Sequence, residues 1–164
     1  MIRMGKILFA TDFSSSAETA FLYALSLAKA YDAELHILHV CGELVEPEVA
    51  DHGEGKLRGE LIAYAESRLA AYRTSAGPLP AGLQTHVVSG KRASFEISRF
   101  VAAQGIRLVV IGSGGSSGLK RLVYGSTGAR LLKMVRVPVM TVHASDRLAG
   151  NPPDPAGSIQ LRKI

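Results

Sequence analysis

The sequence has no tryptophan, a single cysteine, and only five phenylalanines and five tyrosines. One thiol, Cys41, cannot close an internal disulfide, which excludes a small disulfide-stapled scaffold. No basic stretch followed by an apolar run and a small-residue cleavage site opens the chain, so a secretory route is not expected and a reducing cytoplasm is. Purely apolar stretches are only a handful of residues long, whereas a membrane-spanning helix needs about 20. Apolar residues nevertheless make up 47% and charged residues 20% of the 164 positions. That balance is far from the profile of a disordered chain and suits one domain able to bury roughly 70% of its unfolded surface.

Acidic residues are scarce in the second half. Residues 1–90 carry 7 Lys/Arg and 11 Asp/Glu, whereas residues 91–164 carry 12 and 3, within a total formal charge of +5. The second half should therefore attract anions, although such charges also serve simply to solvate a surface. Nucleic acid is not the expected partner, because no zinc-ligand spacing, RNP-like aromatic strand or contiguous Lys/Arg block accompanies the charge.

Apolar runs alternate with helical stripes. KILFAT (residues 6–11) reads as a strand, and Ala17, Ala20, Phe21, Ala24, Ala28 and Tyr31 follow at the spacing of one helical face. Ser15 and Glu18 have the form of a capping box at the start of that helix. ELHILHV (residues 34–40) predicts a second strand, and Leu57, Leu61, Ala65, Leu69 and Tyr72 a second helix, broken at Gly77-Pro78. Residues 83–88 resume extended structure. Ala93, Ile97, Phe100 and Val101 mark a third helix that Gly105 would end in the left-handed conformation. RLVVI (residues 107–111), a short helix near residues 127–135 and VPVMTVH (residues 137–143) complete five strands and four helices. This alternation predicts a single-domain α/β fold with an open parallel five-stranded sheet and helices on both faces, since parallel strands need crossovers. The domain is expected over residues 1–144, followed by a flexible tail over 145–164, where Pro152, Pro153 and Pro155 oppose regular structure.

The segment GSGGSSGLKRLVYGST, starting at Gly112, leaves the carboxyl end of the fourth strand and enters a helix. Ligands of open α/β sheets lie beyond the carboxyl strand ends, and glycines let backbone N–H groups approach phosphate closely. Ser126 and Thr127 sit where the free N–H groups and positive dipole of the next helix would face an anion. Three known phosphate motifs do not fit. The P-loop lacks its second glycine before Lys-[Ser/Thr]. The dinucleotide fingerprint G-x-G-x-x-G belongs after the first strand, where this chain has Thr11-Asp12-Phe13-Ser14. The SGG of pyrophosphatase-type adenylating enzymes is present as Ser113-Gly114-Gly115, but without its first-strand position or acidic partner.

Gly112, Gly115, Gly125 and Ser126 instead satisfy G-2x-G-9x-G-[ST]. With KILFATDFS at the start and VPVMTVH at the end, the chain over residues 4–143 resembles the universal stress protein family, in its ATP-binding subgroup. The resemblance implies sheet order 3-2-1-4-5, in the adenine-nucleotide alpha-hydrolase-like architecture. It also implies ATP with Mg or Mn, and a homodimer through the last strand, with Val137 and His143 at its ends. By position, Asp12 resembles the residue that accepts from ribose hydroxyls, and Val40 the residue whose backbone reads the adenine edge. Gly112, Gly115, Gly125, Ser126 and Thr127 would hold the phosphates, with Ala10, Thr11 and Ile111 beside them. Ala10 departs from the proline that many members carry there.

Other chemistry-bearing residues read differently. Asp12 could serve only to cap the following helix. Lys120 and Arg121 suit solvent as well as a γ-phosphate. His36 and His39 fall on opposite faces of a strand and so cannot share a metal; no dedicated metal site is expected. His86 and His143 have no evident partner, and Cys41 reads as a small apolar filler. No base for water attack, Walker lysine or arginine finger stands out. The expectation is a nucleotide-dependent regulatory protein in the stress response with no catalytic residues. Any ATP hydrolysis should be far slower than the roughly 1–100 per second of dedicated phosphotransfer enzymes. The competing reading is a nucleotide-free dimeric interaction module of the same fold. A phospho-receiver would need clustered carboxylates, and Asp12 stands alone.

Overall fold

A computed structural model describes residues 4–42, 54–113 and 126–143. The expected tail (145–164) and most of the Gly/Ser loop, including Gly115, Lys120, Arg121 and Gly125, lie outside the described residues. The elements run β1 (Lys6–Thr11), α1 (Ser15–Tyr31), β2 (Glu34–Cys41), α2 (Glu54–Ala76), β3 (Leu83–Ser89), α3 (Ala93–Gln104), β4 (Leu108–Gly112), α4 (Ser126–Met134) and β5 (Val139–Val142). All strand pairs are parallel, in the order β3-β2-β1-β4-β5. The fold expectation is met. Pro138 lacks an N–H and precedes β5, which is shorter than the apolar run that announced it.

Alternation along β1 sorts the core into two layers. Ile7 and Phe9 face α1 and α2, while Leu8 faces α3 and α4, and all three are fully buried. Phe9 meets Phe21 of α1 at 5.7 Å between ring centroids and Tyr72 of α2 edge-on at 5.4 Å, contacts that add about 0.5–1.5 kcal/mol per pair beyond area burial. Helix α1 lays Ala17, Ala20, Ala24 and Ala28 against the sheet, and these small side chains allow a close approach.

Several local expectations change. Helix α1 is capped by Ser14, whose hydroxyl accepts from the Ala17 N–H at 3.3 Å, and Ser15 is already helical. The shift arises because Asp12 Oδ1 accepts from the Ser14 N–H at 3.0 Å, a side-chain turn that brings the chain into the helix one residue early. Tyr31 is exposed at the last turn of α1. Along α2 the expected stripe is half realised: Ala65, Leu69 and Tyr72 are buried, but Leu57 and Leu61 are 48% and 40% exposed. Gly105 ends α3 at φ 66° as expected.

Candidate functional site

Strand order reverses between β1 and β4, and the crevice at such a switch point is where open α/β sheets hold ligands. A cavity of about 250 Å³ opens there. Ala10, Thr11 and Asp12 line it from β1 and its following turn, Val40 from β2, Ile111 and Gly112 from β4, and Thr127 from α4. Seven of the ten expected site residues thus share one cavity. Ser126 opens α4, and Gly115 and Gly125 lie outside the described residues.

Each contribution has a local cause. After Thr11 the chain must leave the sheet and turn into α1, and it does so through Phe13 at φ 61°, a left-handed conformation costly for a residue with a side chain. Hydrogen bonds hold this turn. The Phe13 N–H donates to Thr11 Oγ1 at 3.0 Å, and His39 Nδ1 lies 2.8 Å from the Thr11 carbonyl. A carbonyl only accepts, so Nδ1 of His39 carries the proton. The Phe13 ring stacks on His39 at 4.4 Å and lies under the Arg68 guanidinium at 5.1 Å. The result is an exposed Asp12 carboxylate at the cavity rim. Asp12 also bonds the Ser14 N–H, so the capping role is real in part, though it serves the turn before the helix.

Val40 lies one residue beyond the last β1 pairing, Thr11 with His39. It borders the cavity past the end of the central strand. On the other wall, a Cβ on Gly112 would lie 2.6 Å from the Ala17 backbone nitrogen and 2.7 Å from the Ser16 carbonyl carbon. Glycine is therefore needed here for the approach of β4 to the start of α1, independently of any ligand. A Cβ on Gly128 would meet Ile111 Cδ1 at 3.2 Å, so a small residue also keeps the first turn of α4 beside the cavity. The first N–H groups of any helix lack intrahelical partners and carry a partial positive charge, so the amino end of α4 is suited to face an anion.

Sequence reasoning missed Leu38, His39, Ala93, Ile97 and Gly128 as lining residues. Ala93 and Ile97 come from α3, which crosses back over β2 on its way from β3 to β4 and so starts beside Val40. The sheet order was the available signal. His36 and His39 do point to opposite faces, His36 toward Phe100 and His39 toward Phe13. His86 is not solitary: its Nε2 lies 3.1 Å from Nδ1 of His36. Cys41 is buried, and desolvation pushes its thiol pKa up, away from nucleophile chemistry. No helix among the described residues is long and apolar enough to cross a membrane.

Comparison with known proteins agrees with the architecture. The profile of the universal stress protein family matches residues 4–143. Universal stress protein MJ0531 of Methanocaldococcus jannaschii is 31% identical over 140 residues, covering 84% of this chain and 81% of its own length. Universal stress protein YxiE of Bacillus subtilis is 31% identical over 146 residues, covering 84% and 98%. Among solved structures, the universal stress protein UspA from Lactobacillus plantarum superposes with a TM-score of 0.77 at 23% identity, over 87% of this chain and 99% of its own. A family protein from Arabidopsis thaliana with AMP bound gives 0.60 at 22% identity, over 94% and 99%. Matched along nearly all of its sheet and helices, the chain belongs to the universal stress protein family.

Proposed function

We propose that the crevice between β1 and β4 binds an adenine nucleotide, with ATP as the ligand. Nucleotide occupancy would then govern a regulatory role in the stress response. The observation that carries this reading is the convergence of Asp12, Val40, Gly112 and Thr127 on one cavity beside the amino end of α4. The AMP bound to the Arabidopsis family protein is consistent with it. Asp12 would accept from the ribose hydroxyls, and the backbone of Val40 would read the adenine edge. Gly112, Gly115, Gly125, Ser126 and Thr127 would surround the phosphates. Asp12 is the one carboxylate among the described lining residues, so Mg or Mn would arrive on the phosphates and not on a protein cage.

Sheet order leaves β5 at an edge, and a homodimer paired through residues 137–143 is part of the same proposal. Light scattering on Thr141→Pro, which introduces a residue unable to donate to a strand ladder, should give a monomer if that edge is the interface.

Titration calorimetry with ATP and with adenosine tests the site. Asp12→Ala should weaken both ligands by about tenfold to a hundredfold, the worth of a charge-assisted hydrogen bond. Gly125→Val should weaken ATP far more than adenosine. Equal losses in both variants for both ligands would contradict the assignment of roles.

A further inference from the structure

Two histidines unconnected with the crevice lie against each other in the sheet. His36 of β2 and His86 of β3 share the face covered by α3, where the ring of Phe100 packs against both at 5.9 and 4.7 Å. Their own rings are nearly parallel, 11° apart, with the 3.1 Å contact between His36 Nδ1 and His86 Nε2. His36 is fully buried, and its other nitrogen, Nε2, has no hydrogen-bond partner. Nε2 lies 3.5 Å from Glu34 Oε1. Glu34 is in turn held by the Gln84 side-chain amide and by Lys6 Nζ at 3.6 Å. At that distance the carboxylate is a long and weak partner for a buried polar atom, and an unmade hydrogen bond there costs about 1–3 kcal/mol, so the arrangement calls for an explanation.

Counting protons supplies one. The four ring nitrogens of the neutral pair carry two protons. One of these bridges the contact, because a nitrogen pair at 3.1 Å needs one donor and one acceptor. A third proton still fits: with Nε2–H of His36 facing Glu34, a bridging N–H, and Nδ1–H on His86, no two hydrogens collide. A fourth places N–H against N–H and must part the rings. The charged groups around the pair are Lys6 from β1 and Glu34 from β2; β3 adds the neutral Gln84, and the α3 contact is the uncharged Phe100. Burial lowers both imidazole pKa values. His36 lowers that of His86 further, while Glu34 opposes the shift in each.

We infer that Glu34, His36 and His86 form a proton-operated lock between β2 and the edge strand β3. The lock stays closed on taking up one proton and loosens β3 on taking up the second. Because β3, among the described residues, is paired only with β2, the release is local and leaves the central strands intact.

The test is an NMR titration of the uniformly ¹⁵N-labelled full chain from pH 7.5 to 4.5, reading the ring nitrogens and the backbone amide exchange of residues 83–89. Through the first uptake β3 protection should move only in step with that of β1 and β4. The second should coincide with at least a tenfold loss of β3 protection beyond the intrinsic pH trend and beyond any loss shared with β1 and β4. His86→Phe keeps a ring against Phe100 and should abolish this acid step. Glu34→Gln keeps both imidazoles and should move the first uptake to lower pH, so it decides the matter even if His86→Phe fails to fold. Independent titration of the two rings would overturn the lock, as would a loss of β3 protection at the second uptake no larger than that in β1 and β4. An unchanged acid step in His86→Phe, or an unmoved first uptake in Glu34→Gln, would do the same.

Discussion

Gly112 separates packing from ligand binding at the level of a single residue. Its missing side chain is required by the Ala17 and Ser16 backbone, which a Cβ would approach to 2.6–2.7 Å. Gly112→Ala should therefore destabilise the protein by about 1–3 kcal/mol, as overpacking does, and urea denaturation without nucleotide would reveal it. A variant of unchanged stability would mean that β4 and α1 have room to part. The sequence motif located this glycine but suggested only the phosphate reason, because the approach of β4 to α1 joins segments far apart in the chain. Phe13 shows a similar limit. Its left-handed backbone is invisible in a string of letters, since the stabilising stack on His39 depends on pairing β1 with β2.

Helix α2 separates what periodicity reveals from what it cannot. The stripe Leu57, Leu61, Ala65, Leu69 and Tyr72 reads as one continuous face, yet only its carboxyl half reaches the core. Leu69→Ala should cost about 2–5 kcal/mol in unfolding free energy, whereas Leu61→Ala should stay within roughly 0.5 kcal/mol. Equal costs would show that the first turns of α2 are packed after all. The strands were more legible, because buried parallel strands are written as short unbroken apolar runs with strong β preference. The His36–His86 contact was not, since it depends on the register that sets Leu38 opposite His86. Nothing local to either histidine signals it.

For the molecule as a whole, the proposed proton uptake and the proposed nucleotide binding would act at different places in one sheet. With both histidines lowered by burial, the unfolded chain binds protons near their ordinary value of 6.5 and the folded chain does not. Stability should therefore be full above about pH 6.5 and fall as the pH drops below it, by up to about 1.4 kcal/mol per pH unit for each proton. Urea denaturation at pH 7.5 and 5.5 measures the slope, and a variant lacking both imidazoles should flatten it. The parallel sheet could be anticipated from strand alternation, and its order, with the crevice at its switch point, from the family resemblance that the glycine motif helps to carry. The wall built by Ala93 and Ile97 could not, because it follows from the path of α3 across β2. The most direct test of the central claim is a crystal structure grown with excess Mg-ATP. The account predicts the adenine beside Val40, the ribose against Asp12 and the phosphates at the amino end of α4. A cavity closed by the protein's own side chains, with no nucleotide in it, would contradict the account.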